Sequence, residues 1–325
     1  MMDQATPENE LSEEESLNLV YAFSAGNPFH PGESGTAFAG RSSGLLRSSD
    51  GGQTWEDALT SLELREPLPV TCVITPPHAG SAGGAHVIAG APGGVVRSVD
   101  NGQTWRAVVF HAPPPTVSAL AVSPNYGEDQ TIFAGTVEDG VFISIDSGLS
   151  WVGWNFGFLD LNVLCLAVSP DFTQDETIFA GTETGIFRST NGGRAWREVE
   201  MPFGYSAVLA LAYAPDFAHN GTLYAATEDQ GVWVSTDRGE SWALLCAFDE
   251  PANAILVFGS EIVVATGSGL HHSTDQGHNW HIRCASPDDE REITAVLALQ
   301  GMAPATKILI GYMSGEIETV TLPPA

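Results

Sequence analysis

Ser48-Ser-Asp-Gly-Gly-Gln-Thr-Trp55 is a phrase that this chain repeats. Further copies run from Ser98 to Trp105, Ser144 to Trp151, Ser189 to Trp196, Ser235 to Trp242 and Ser273 to Trp280. In each, a Ser is followed two residues on by Asp or Asn, two later by Gly and three later by Trp. The steps between the six tryptophans are 50, 46, 45, 46 and 38 residues. Among repeat architectures that period points to a propeller blade of four short strands.

Other parts of the unit let the blades be counted. A β-rich stretch of the type Thr-Ile-Phe-Ala-Gly-Thr occurs at 36–40, 86–91, 131–136, 177–182, 222–227, 261–267 and 307–313, which makes seven. Apolar runs suited to inner strands precede it, clearest at 119–123, 164–169 and 209–214, with a turn of the kind Ser-Pro-Asp-Phe between. The expectation is an all-β, seven-bladed propeller of four-stranded antiparallel blades over residues 17–322. The octapeptide then sits in the hairpin between the third and fourth strands of six blades.

The seventh unit has a third strand in 315–322 and then the chain stops, so a fourth strand must come from the N-terminus or be missing. Residues 1–16 are open to two readings. They are a clasp strand that closes the ring, or an acidic tail carrying Glu8, Glu10, Glu13, Glu14 and Glu15.

The residue types of the octapeptide suit a tight turn. Asp50, Asp100, Asp146, Asn191, Asp237 and Asp275 can accept turn N–H groups, and the following Gly can take positive φ. Trp55, Trp105, Trp151, Trp196, Trp242 and Trp280 can pack between sheets with the indole N–H partnered. Six equivalent copies around a ring cannot converge on one substrate, so these residues read as structural rather than catalytic.

The phrase resembles the Asp-box, or BNR repeat, of sialidases, sortilin-type receptors, xyloglucanase-like glycoside hydrolases and propellers similar to the photosystem II stability/assembly factor. The chain looks most like the last group, on runs such as Ser169-Pro-Asp-Phe172 and Thr177-Ile-Phe-Ala-Gly-Thr182. That family contains both enzymes and binders. A sialidase relative would clamp a carboxylate with three arginines, but the recurrent Arg47, Arg97 and Arg188 occupy one equivalent strand position in separate blades. A xyloglucanase relative would need two carboxylates about 5 to 10 Å apart across a cleft. Glu138, Asp139, Glu183, Glu228 and Asp229 are the candidates for that alternative, a carbohydrate-active or carbohydrate-binding ring.

With 40 acidic and 12 basic residues, the chain carries a formal charge of −28. Phosphate backbones and anionic lipid are recognised through clustered Lys and Arg, so neither nucleic acid nor a membrane surface is an expected partner. No apolar run is long enough to insert in a membrane. The charge either serves solubility alone or attracts a basic protein segment. The N-terminus has no basic start and no apolar core of a leader, which reads as cytoplasmic. Cys72, Cys165, Cys246 and Cys284 show no metal spacing, and no disulfide, metal or cofactor is expected. His271, His272 and His278 cluster in sequence, and a strand with its hairpin explains them at least as well as a metal site.

A binding function would fall where the repeat breaks down. Octapeptide and Ser-Pro-Asp-Phe turns share one face, and the second-to-third and blade-to-blade connections share the other. The latter carry Trp154, Phe156, Phe158, Phe203 and Tyr205, interleaved with Glu138, Asp139, Glu183, Glu228 and Asp229. They read either as aromatic anchors and an acidic rim for a protein partner, or as side chains folded back over the blade ends. The expected function is a non-catalytic protein-binding or assembly module.

Overall fold

The computed structural model describes residues 18–25, 35–77, 85–111, 113–285, 291–299 and 306–322. They form seven antiparallel sheets in sequence order around one ring, and neighbouring inner strands pack against each other. This is a seven-bladed β-propeller. Blade three shows the unit: Thr116–Val122, Ile132–Val137, Val141–Ser144 and Val152–Gly153, from inner to outer edge. The octapeptides occupy the connections between third and fourth strands, as Ser144 to Trp151 does there. Blade seven has three strands among the described residues, Ile293–Leu299, Lys307–Tyr312 and Ile317–Thr321. The proposed clasp of residues 1–16 lies outside the described residues.

The second strands make the core. Ile132, Phe133 and Ala134 are fully buried, as are Ile178, Phe179 and Ala180, because both faces of these sheets are covered by neighbouring blades. The Gly of the repeated Ala-Gly-Thr allows two blades to approach. A Cβ on Gly135 would lie 2.4 Å from Val163 Cγ1, at the start of the next inner strand. The Ser-Pro-Asp-Phe segments are more than turns. Tyr126–Asp129, Phe172–Asp175 and Phe217–Asn220 each close one helical turn, with the aromatic residue packed inward.

Most inner strands begin with a β-bulge, which leaves Tyr21, Ser118, Leu164, Leu209, Asn253 and Thr294 unpaired in the ladder. Where the extra residue is polar, it reaches the next blade. Ser118 Oγ donates to Val163 O, Asn253 Nδ2 to Ile293 O at 2.9 Å, and Thr294 Oγ1 to Val20 O at 2.7 Å. Thr71 Oγ1 makes the corresponding bond to Val117 O. The Thr294 bond joins blade seven to blade one without a shared sheet. At the same junction Gly52 takes φ +88°, and a Cβ there would lie 2.7 Å from Leu309.

Candidate binding face

At the octapeptide end, each turn satisfies its own carboxylate. Asp50 Oδ1 accepts Ser48 Oγ and the N–H groups of Gln53 and Thr54, while Oδ2 accepts Thr54 Oγ1 at 2.6 Å. The buried Ser48 Oγ in turn accepts Gly52 N–H at 2.8 Å. Asp100, Asp146, Asp237 and Asp275 repeat this pattern. The Thr54 hydroxyl and N–H, with Ser48, hold Asp50 down to about 2. Asp237 and Asp275 are likewise held at about 2 by their turn donors. For Asp100, slight burial opposes the same donors and is outweighed, again giving about 2. A carboxylate held as an anion by three or four donors is poorly suited to general acid or base work at neutral pH.

The indoles are less uniform. Trp105, Trp151 and Trp280 donate to the Gly carbonyl of their own turn, and Trp196 Nε1 to Trp154 O at 2.9 Å. Among the described residues, the buried indole N–H groups of Trp55 and Trp242 have no partner. The recurrent arginines point between blades. Arg47 Nε donates to Asn101 O and Arg97 Nε to Ser147 O, each on the next octapeptide, so they form no clamp for one ligand. The three histidines also diverge. His272 is buried against Glu261 at 2.8 Å, His271 faces Phe248 and Thr266, and His278 bonds Asp275 O.

The other face is assembled from the connections. After the outer strand of blade three, Trp154 N–H donates to Val141 O, and Asn155 closes on Asp139 O and Val141 N–H. Phe156 then stands 79% exposed while its carbonyl accepts Trp196 N–H. Gly157 takes φ +80°, with Trp196 O 2.4 Å from where a Cβ would be. The chain turns there and drives Phe158 inward, 4.7 Å from the Phe187 ring and 5.0 Å from Trp196. This corrects one expectation: Phe158 is a core residue that plugs blade four and cannot touch a partner.

Trp154 and Phe203 are also turned in. Trp154 is half-buried beneath Arg194, whose guanidinium lies 5.3 Å from the ring. Phe203 packs on Trp233 at 4.9 Å. Tyr205, two residues later, is 76% exposed. The two outward aromatic residues thus come from successive blade-to-blade connections. Leu159, 78% exposed, and Leu161 join them, and the residue-type reading missed both because it scored only aromatic side chains.

The acids divide in the same manner. Glu183 accepts Asn162 Nδ2 at 3.3 Å, and Asp229 accepts Ser206 Oγ. Among the described residues, the Glu138, Asp139 and Glu228 carboxylates have no hydrogen-bond partner, although the backbone of each is tied to a neighbouring connection. Glu138 reaches outward from a left-handed conformation, φ 69°. Two unanticipated acids pin the loops. Asp160 accepts Thr184 N–H and Oγ1 across to the next blade, and Glu250 accepts Ser268 N–H and Thr266 Oγ1 at 2.9 Å each. Burial works against both anions, but those hydrogen bonds outweigh it and lower both pKa values. A glycosidase acid needs the opposite displacement.

No family model matches the chain, and neither does any curated protein. Solved structures do share its ring. The extracellular domain of a putative one-component system from B. thetaiotaomicron aligns at TM-score 0.69 and 13% identity, over 94% of this chain and 38% of that one. YCF48 bound to D1 peptide aligns at TM-score 0.66 and 17% identity, over 95% and 94%. The GH74 xyloglucanase from Xanthomonas campestris aligns at 0.69 and 16%, over 93% and 52%. At these identities the likeness is one of fold, and the chain spans about two fifths to one half of the first and third proteins. It does correct one expectation. The cytoplasmic placement read from the N-terminus does not stand, because a ring of this fold serves as an extracellular domain in the B. thetaiotaomicron protein.

Proposed function

We propose that this propeller is a non-catalytic protein-binding or assembly module that holds its partner on the face formed by the blade-to-blade and second-to-third connections. One observation carries the reading. Phe156 and Tyr205 are 79% and 76% exposed, yet the Phe156 carbonyl accepts Trp196 N–H of the next blade, and Tyr205 stands beside the buried Ser206, whose hydroxyl donates to Asp229. Exposed rings on preorganised loops are what an interface anchor requires, since little conformational entropy is lost on binding. The unengaged carboxylates of Glu138, Asp139 and Glu228 form the rim, which with the net charge of −28 favours a partner segment rich in Lys or Arg. YCF48, which has the same ring at nearly full length, is seen with a peptide bound, and this supports peptide binding by such a ring.

Burying each anchor contributes about 1.5–3 kcal/mol, so its loss weakens binding about tenfold or more. The test is capture from source-cell lysate by wild type and by the Phe156→Ser, Tyr205→Ser double variant, after circular dichroism shows both folded. Both positions are exposed, so the fold is expected to survive. A partner held by the wild type, released by a Lys/Arg-rich competitor peptide and lost from the variant supports the reading. Equal capture by both proteins refutes the loop-face assignment. Turnover of a glycan panel, lost on Glu183→Gln, would replace binding with the carbohydrate-active alternative that the xyloglucanase likeness keeps in view.

A further inference from the structure

Blade four departs from the repeat at three positions that meet at one place. Its octapeptide carries Asn191 where the other five carry Asp, and Ala195 where they carry Thr, Ser or Asn. Asn191 Oδ1 takes the usual inward role, accepting Ser189 Oγ and Ala195 N–H at 2.9 Å each. Its Nδ2 therefore occupies the place of the outer carboxylate oxygen, and Ala195 offers no side-chain partner. A position that is elsewhere an anion saturated with donors is here a neutral group presenting N–H donors.

Beside it, Arg188 on the third strand pairs directly with Arg197 on the fourth. Like charges facing each other across a ladder are destabilising. Blade one resolves the same position with opposite charges, Arg47 to Glu56 at 2.9 Å. Blade two also pairs two arginines, Arg97 with Arg106, but there Asp100 is retained and Arg97 Nε bonds Ser147 O at 2.6 Å. In blade four, Arg188 gives up that carbonyl bond. It holds Glu240 instead, and its buried Nε has no acceptor among the described residues. Arg197 is exposed and forms no ion pair or hydrogen bond among the described residues. An open cleft of about 280 Å³ lies here, lined by Arg188, Thr190, Asn191, Ala195, Trp196 and Arg197.

We propose that this cleft binds a small oxyanion, a carboxylate or phosphate group, through the guanidinium groups of Arg188 and Arg197, which both line it, the Asn191 amide and the Thr190 hydroxyl. Two forked cations on one face match the oxygens of such a group. Glu240 offsets one positive charge, so a monoanion restores local neutrality. That a chain of net charge −28 keeps two arginines face to face, and drops the aspartate beside them, is the departure that the anion explains. The site is independent of the loop-face reading and stands or falls separately.

The test is isothermal titration with inorganic phosphate and, separately, with succinate, at constant ionic strength set with chloride. Saturable binding by the wild type is expected, and the tighter of the two titrants identifies the chemistry. Asn191→Asp restores the residue found in the other five turns, so it is expected to fold at least as well while placing a carboxylate in the cleft. Arg197→Gln removes an exposed, unpaired cation. Each variant is expected to weaken binding at least about tenfold, and Arg106→Gln in blade two should leave it unchanged. The proposal is overturned if neither titrant binds saturably, or if Asn191→Asp and Arg197→Gln bind as the wild type does. It is equally overturned if Arg106→Gln lowers affinity as much, since a diffuse field effect would then account for binding.

Discussion

Gly135→Ala tests whether the blades are set at a distance that only glycine permits. The added methyl would stand 2.4 Å from Val163 Cγ1, 2.9 Å from its Cβ and 3.4 Å from Ala119 Cβ, in a fully buried site. Relief requires the blade-four inner strand to shift, and overpacking of this kind costs about 1–3 kcal/mol. Blade five carries its own remedy, because Ala226 stands where Gly135 does and the next strand opens with Ala252 in place of Val163; both are buried in one cluster. Val163→Ala alone removes two methyl groups from a fully buried side chain, about 1.5 kcal/mol of transfer plus a cavity term. In the Gly135→Ala, Val163→Ala double variant the new methyl fills part of that space. Urea unfolding of the four proteins of the cycle should show the double variant at least about 1 kcal/mol more stable than additivity allows. Additive losses, or a double variant worse than their sum, would refute the close-approach account of the repeated Ala-Gly.

Two further perturbations probe the octapeptide. Ser235→Ala removes a buried hydroxyl that donates to Asp237 Oδ1 at 2.8 Å and accepts Gly239 N–H at 2.9 Å. It should cost about 1–3 kcal/mol because a buried N–H is orphaned; Asp237→Asn should cost less, since blade four already uses Asn191, and reversal of that order in denaturant titrations would count against the scheme. Asp50, Asp100, Asp237 and Asp275 titrate at about 2 in the folded chain, below the ordinary value near about 3.9. A depressed folded pKa gives stability that is complete above the unfolded value and lost as pH falls through the folded one. The unfolding midpoint should therefore drop between about pH 4 and 2, more shallowly in Asp237→Asn than in wild type; identical acid limbs would show that the turns take no part.

The ring was legible because its period is carried by residues with one physical job each. The octapeptide and the Phe-Ala-Gly-Thr strand recur because every hairpin needs the same donors and every blade the same spacing. What stayed hidden was context-dependent. The bulged residues are Tyr, Ser, Leu, Asn or Thr, so no residue type marks them, although Ser118, Asn253 and Thr294 all cross to the next blade. In Trp154-Asn-Phe-Gly-Phe-Leu159 the chain has no period, and only the left-handed turn at Gly157 separates the exposed Phe156 from the buried Phe158. Asp160 and Glu250 were overlooked because a loop carboxylate looks the same in sequence whether it faces solvent or caps the next blade.

Where this chain departs from its own repeat, the departures differ in kind, and the difference separates scaffold from site. Ala226 is an extra methyl matched by a smaller neighbour, Ala252, so the change is compensated within the core and asks nothing of a ligand. Glu56 opposite Arg47 and Ile143 opposite Val152 are likewise resolved in place. Arg197 opposite Arg188 is not, because among the described residues no carboxylate answers the exposed partner. Nor is the exposure of Phe156 and Tyr205, whose neighbours Phe158 and Phe203 show that the same loops can bury a ring. On the two proposals made above, such uncompensated departures are where an outside partner would complete the structure: a Lys/Arg-rich protein segment at the connections, and an anion at the outer edge of blade four.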